Sequence, residues 1–172
     1  MPLKTESGAN QEFDDATQLS NGNIIFSHMS GAAMLSRGKK ILWHYDAAKG
    51  TEIHSIQAIG KNRVLIMRNG NLAEAMIINT ATGAIEKEIP IPTTVHRTHG
   101  RFRHIRMTRN GTLLVPRLSE GKLVEYDQEG KVVWSLAAKS LWQAVRLRDG
   151  NTLIADDASR YAREVDPNGA TV

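Results

Sequence analysis

The sequence predicts an all-β fold, a β-propeller of about four four-stranded blades whose last blade lacks its final strand. Three observations carry that prediction. First, one motif occurs four times, a polar turn tipped by Asn or Gly and followed by a short apolar run: Ser20–Phe26, Gly60–Ile66, Arg109–Val115 and Arg148–Ile154. Second, aligned on Gly22, Asn62, Gly111 and Gly150, the copies are spaced by 40, 49 and 39 residues. A period of roughly 40–45 residues with several strands per unit marks a propeller, in which each unit rests on its neighbours. Third, further β-branched runs follow each copy, separated by turns such as Asn110-Gly111, Thr80–Gly83 and Asp127–Gly130. Asn, Asp and Gly bend such hairpins because they tolerate positive φ.

The elements follow in order from this pattern, each strand being a β-branched run bounded by turn residues. Residues 1–13 form a polar tail. The first unit, about 14–50, carries strands at 15–19, 24–28, 32–35 and 40–45. The second, 51–92, carries them at 54–59, 64–68, 75–79 and 84–89. The third, 93–138, carries them at 104–108, 112–118, 123–126 and 131–136. In the fourth, 139–172, strands at 142–147, 152–155 and 162–165 precede the turn Asp166-Pro167-Asn168-Gly169, which leaves only Ala170–Val172 for a last strand. A strand cut so short exposes unpaired backbone. The expectation is therefore a fragment of a larger ring, or closure by self-association through the incomplete blade. The 49-residue spacing marks an insertion at 90–102, where Pro90 and Pro92 should keep the chain out of the sheet. Long loops on rigid scaffolds are where function sits.

Composition narrows the chemistry. With 172 residues, 41% of them apolar, the chain can build a real core. It has no cysteine, which excludes disulfides, thiolate metal sites and thiol nucleophiles. No apolar run reaches the ~18 residues of a membrane-spanning helix, so no membrane partner is expected. The polar start, Met1 to Asn10, lacks the basic-then-apolar pattern of an export signal. The formal charge is +4, and it is concentrated: Thr93–Ser119 holds six arginines and three histidines with no acid. Such a segment attracts anions. No nucleic-acid-binding motif accompanies it, so nucleic acid is not expected.

The repeats resemble propellers of the pyrroloquinoline-quinone-dehydrogenase-like (quinoprotein-like) superfamily. The resemblance rests on Asn79-Thr80-Ala81-Thr82-Gly83, close to an Asp-x-x-Thr-Gly turn, on Gly130-Lys131-Val132-Val133-Trp134, and on Gly38-Lys39-Lys40-Ile41-Leu42-Trp43. It covers the chain from Asp14 onward. The fourth unit, Asp149–Asp156 through Arg163–Gly169, is also similar to bacterial arylsulfotransferase-type propellers. Quinone-binding members stack their cofactor on a disulfide of adjacent cysteines, which this chain lacks, so no cofactor is expected. Many relatives are binding or assembly platforms, often periplasmic or secreted, and the resemblance points there.

In a propeller the first strand of each blade lines the central channel. The loops leading into first strands share one mouth with those joining second and third strands. Eight residues before each anchor stand Asp14, His54, Arg103 and Trp142; seven before stand Asp15, Ser55, His104 and Gln143. The candidate ligand-binding set is Asp15, His54, Arg68, His96, Arg97, His99, Arg101, Arg103, His104, Arg117 and Trp142. Arginine offers a planar fork to carboxylate, sulfate or phosphate. The alternative is that these are solvated loop positions bridging blades. His96, His99 and His104 share no helix face and have no carboxylate near in sequence, so no metal site is expected. Trp43 and Trp134 recur in fourth strands and should pack between blades, whereas Trp142 is placed to stack on a planar ligand. The expected function is a non-catalytic module binding a small anionic molecule, glycan or protein. One alternative is a sulfotransferase-like or quinone-dependent enzyme, with His99 or His104 as nucleophile in the former. The other is a structural segment of a larger propeller.

Overall fold

The computed structural model describes residues 12–95, 98–99, 101–156 and 160–172. Their strands fall into four antiparallel sheets in chain order around the propeller axis. Blade 1 is β1 (Phe13–Gln18), β2 (Ile24–His28), β3 (Gly31–Leu35) and β4 (Ile41–Asp46). Blade 2 is β5 (Glu52–Gly60), β6 (Arg63–Asn69), β7 (Glu74–Asn79) and β8 (Ile85–Pro90). Blade 3 is β9 (Arg106–Met107), β10 (Leu113–Arg117), β11 (Lys122–Tyr126) and β12 (Val132–Ala137), with a 3-10 turn at Leu118–Glu120. Blade 4 has three strands, β13 (Leu141–Arg146), β14 (Thr152–Asp156) and β15 (Tyr161–Val165). Where a fourth would run, Thr171 makes a single bridge to Val165.

The repeated turns are built by the residues that announced them. Gly22, Gly111 and Gly150 take φ of 82°, 81° and 94°, a region glycine occupies without a Cβ penalty. At the anchor of blade 2 the chain turns in two residues between Gly60 and Arg63, and Asn62 does not take a positive φ. The turns between third and fourth strands carry a side-chain acceptor. Asp127 Oδ1 takes the N–H groups of Glu129 and Lys131, and Asp166 Oδ1 those of Asn168 and Ala170. Gly130 is fixed twice over: its φ is 81°, and a Cβ there would lie 2.6 Å from the Pro90 carbonyl oxygen of the neighbouring blade.

The core consists of three seams between consecutive blades. Ile25, Ala32 and Trp43 meet Ile53, Ile56, Val64, Ile66, Met76 and Ile78 between blades 1 and 2. Leu65, Met67, Ala75 and Ile89 meet Phe102, Ile105, Leu113 and Val115 between blades 2 and 3. Leu114 and Leu123 meet Leu141, Ala144, Ile154 and Val165 between blades 3 and 4, with Trp134 packed against them. The Trp134 indole N–H also donates to the Pro167 carbonyl at 2.9 Å, tying blade 3 to the last turn. Period-2 alternation explains the division, since neighbouring residues of one strand feed opposite seams. On the sides without such a partner the equivalent apolar positions are open: Ile24 is 40% exposed and Leu153 41%, where Val64 and Leu114 are buried.

The inserted segment differs from expectation in its bounds. β8 runs through Pro90, and the Ile91 N–H still donates to the Ala73 carbonyl, because Pro90 needs no donor at that edge. The first strand of blade 3 is only two residues long. His104 lies outside it, joined to Gln143 of blade 4 by an isolated parallel bridge. Ahead of β9, Phe102 and Ile105 are packed into the seam between blades 2 and 3, and the Arg103 N–H donates to the Pro116 carbonyl of β10 at 3.4 Å.

Candidate functional site

The residues eight positions before the four anchors touch one another in blade order. His54 Nδ1 donates to Asp14 Oδ1 at 2.8 Å. The Arg103 guanidinium lies 3.4 Å from His54 Nδ1 and 3.9 Å from Asp14 Oδ1. On its other side it stacks over the Trp142 ring, 4.3 Å from the centroid. One side chain per blade therefore forms a continuous polar row along the mouth. Glu52 joins it from β5, two residues before His54 and so on the same face of the strand. His54 Nε2 donates to Glu52 Oε2 at 2.7 Å, and His99 Nδ1 lies 3.2 Å from the same oxygen. The two imidazoles meet edge to face with centroids 5.4 Å apart.

The electrostatics follow from burial. His54 is fully buried, which by itself would push its pKa down. Hydrogen bonds to and charges on Asp14 and Glu52 outweigh burial and raise it to about 9, so near neutrality it is an imidazolium between two carboxylates. Burial likewise pushes Glu52 up, but hydrogen bonding to His54, reinforced by the charges of His54 and His99, holds it below the usual carboxylate range.

The neighbouring row serves a different purpose. Asp15 accepts two bonds from Arg106, at 2.9 and 3.2 Å, and one from the Ile56 N–H at 3.1 Å. It locks blades 1, 2 and 3 together with its acceptors used. His104 Nδ1 lies 3.2 Å from Gln143 Oε1, away from the His54–His99 pair.

The arginines divide in the same way. Arg68 stands opposite Glu74 across β6 and β7 and pairs with it. Arg117 pairs with Glu120, bonds the Tyr126 hydroxyl and the Pro92 carbonyl, and lies over the Phe102 ring at 5.5 Å. Arg101 is 2% exposed and donates to the Gly70 carbonyl. Burial lowers its pKa, and among the described residues no carboxylate lies within 4 Å of it. His96 and Arg97 lie outside the described residues. His99 is the accessible member of the cluster, its side chain 51% exposed. Among the described residues Asp14 Oδ2, Asn69 Oδ1 and the Nε atoms of Arg101, Arg103 and Arg117 are buried without a hydrogen-bond partner. Native interiors leave few such atoms; with Ser27 Oγ and Thr152 Oγ1 they number seven among the described residues, and these five belong to this end of the propeller.

Of the residues expected at the mouth, the structure brings Arg103 against both His54 and Trp142; it adds Glu52 and Arg106, which the expected set does not contain. The signal for Glu52 was its i, i+2 relation to His54 in a strand. Arg106 carries no such signal, because its partner Asp15 is far off in the chain.

No protein-family model matches the chain, and no curated protein does. Solved structures do. A protein of unknown function from Bacteroides caccae superposes with a TM-score of 0.85 at 22% identity, over 94% of this chain and 60% of its own. A streptogramin B lyase gives 0.70 at 12% identity, over 93% and 53%. Virginiamycin B lyase from Staphylococcus aureus gives 0.67 at 16% identity, over 99% and 57%. The chain is thus a β-propeller, a class that also takes in the WD40 domain of Neurospora crassa Pan2, at a TM-score of 0.59. It spans 60% or less of the length of each of these structures. At these identities the likeness is one of fold.

Proposed function

We propose that the chain is a β-propeller binding module whose mouth takes a small anionic molecule or an anionic glycan. The observation that carries this reading is the state of Arg101 and Arg103. Both are buried, and each keeps an unpaired Nε–H; among the described residues Arg101 pairs with no carboxylate, and Arg103 meets one only at 3.9 Å, that of Asp14, which His54 already holds. A buried guanidinium is costly unless its donors are met, and carboxylate, sulfate or phosphate meets them in pairs. Trp142, 37% exposed beside Arg103, offers a face to a ring or a planar group. Arg68 and Arg117 are left out of this role because Glu74 and Glu120 occupy them. The quinoprotein-like turn motifs are consistent with a binding platform.

Calorimetric titration with inorganic sulfate at fixed ionic strength tests this. Saturable binding is expected, lost in Arg103→Gln and retained in Arg68→Ala. An absence of binding, or equal binding by Arg103→Gln, rejects the reading.

One observation favours a second reading, an enzyme working through histidine. The exposed His99 ring is held at Nδ1 by Glu52, the geometry that leaves Nε2 as a base or nucleophile. Two of the fold relatives are lyases, and a histidine-to-alanine form of virginiamycin B lyase is catalytically inactive. Turnover of an aryl sulfate or of quinupristin that disappears in His99→Ala would establish this reading in place of passive binding.

A further inference from the structure

We propose that Glu52, His54 and His99 form a binding site for a divalent transition-metal ion, Zn²⁺ being the best match. This goes beyond the anion reading and does not rest on it. The donor atoms Glu52 Oε2, His54 Nε2 and His99 Nδ1 all lie within 4.8 Å of one another. Two imidazoles and one carboxylate form a set that holds Zn²⁺ with a fourth position open to water or a ligand. Donor type argues against Mg²⁺ and Ca²⁺, which favour oxygen, and the chain has no thiolate to draw softer ions.

A second observation points the same way. A metal-bound histidine characteristically donates its other ring N–H to a carboxylate, which fixes the tautomer and aims the free nitrogen. His54 does this with Asp14 at 2.8 Å, on the side of the ring away from Glu52 and His99. The Asp14 side chain is itself 8% exposed, and its Oδ2 is buried without a partner. The carboxylate is therefore committed to His54 rather than to solvent.

Size and charge fit as well. Ligand bonds of ~2.0–2.2 Å in a tetrahedron set donor atoms about 3.3 Å apart. The observed 2.7 Å between His54 Nε2 and Glu52 Oε2 must open by about half an ångström to meet this. The 3.2 Å between His99 Nδ1 and Glu52 Oε2 needs no change. Asp14 and Glu52 supply two negative charges, Arg103 opposes them from the far side of His54, and the ion takes the place of the His54 Nε2 proton, which is released to solvent. Access runs past the half-exposed His99 ring, the ligand freest to swing onto an arriving ion.

The test uses the full chain stripped with a chelator, titrated with Co²⁺ by visible absorption and then with Zn²⁺ in competition. One ion per chain is expected, with the absorption of a four-coordinate site. His99→Ala should weaken binding more than about 100-fold, and Asp14→Asn by about 10–100-fold, the range for losing an outer carboxylate. His104→Ala, whose ring rests on Gln143, should bind as the parent does. His99→Ala alters only a half-exposed side chain, so it decides the matter even where a buried variant misfolds. Absence of saturable 1:1 binding, or a parental affinity in His99→Ala, overturns the site. Sulfate binding in chelator-treated protein is read separately, so the metal site and the anion reading fail independently.

Discussion

Blades 1 and 2 meet at the mouth through ions, whereas blades 3 and 4 meet there through a cation on an aromatic ring and a histidine–glutamine contact. On one side the buried imidazolium of His54 stands between Asp14 and Glu52. On the other, Arg103 lies on Trp142, and His104 meets Gln143. Asp14, His54, Arg103 and Trp142 are equivalent, eight residues before each anchor, and His104 and Gln143 stand seven before; Glu52, ten before, is an addition of blade 2. The difference teaches that the blade dictates where a side chain points and leaves its chemistry open. The ionic half is sensitive to pH and intolerant of losing one member.

The largest expected effect is His54→Leu. It removes the cation and leaves Asp14 and Glu52 facing each other out of water, which should cost about 3–5 kcal/mol in urea unfolding. A loss as small as that of a surface substitution would show that the two halves are energetically alike. Next comes pH, measured on chelator-treated protein. The pKa of His54 is raised in the folded state from 6.5 to about 9, so its contribution is complete below about pH 6.5 and disappears as pH rises to about 9. Unfolding free energy should fall across that window in the parent and in Trp142→Leu, and this part of the slope should vanish in His54→Leu. An unchanged slope in His54→Leu would assign the dependence to another group. The smallest effect belongs to Trp142→Leu itself. Replacing a partly exposed ring under Arg103 should cost about 1 kcal/mol, a shift of a few degrees in melting temperature. A cost matching His54→Leu would erase the contrast.

Much of this was legible in the sequence. The anchors gave the blades, because Gly at a positive-φ turn followed by β-branched residues leaves the chain few options. Counting back from Gly22, Asn62, Gly111 and Gly150 brought Asp14, His54, Arg103 and Trp142 into one row, since a repeat period converts sequence offset into spatial adjacency. Pairing across the sheet was harder to see. Arg68 reads as a free cation until the β6–β7 register sets Glu74 directly opposite. Arg117 reads the same way until the short turn after β10 swings Glu120 back onto it. Charge runs in sequence count cations, but the carboxylates that neutralise them arrive from other strands. Glu52 went unnoticed for the converse reason: its segment is not acidic, and only the two-residue period of β5 sets it beside His54.

The single-file row along the mouth has one more consequence. Each blade contributes one letter to a four-letter word, and the letters sit at the beginnings of first strands or, for Arg103, just ahead of one, outside the three apolar seams. A substitution at position 14, 54, 103 or 142 can therefore respell what the mouth recognises while Trp43, Met67 and Leu141 go on holding the blades together. An inserted residue between letter and anchor would do the opposite. In that blade it would exchange the letter for the residue seven positions back, and in that row Asp15 is already held by Arg106 and His104 already rests on Gln143.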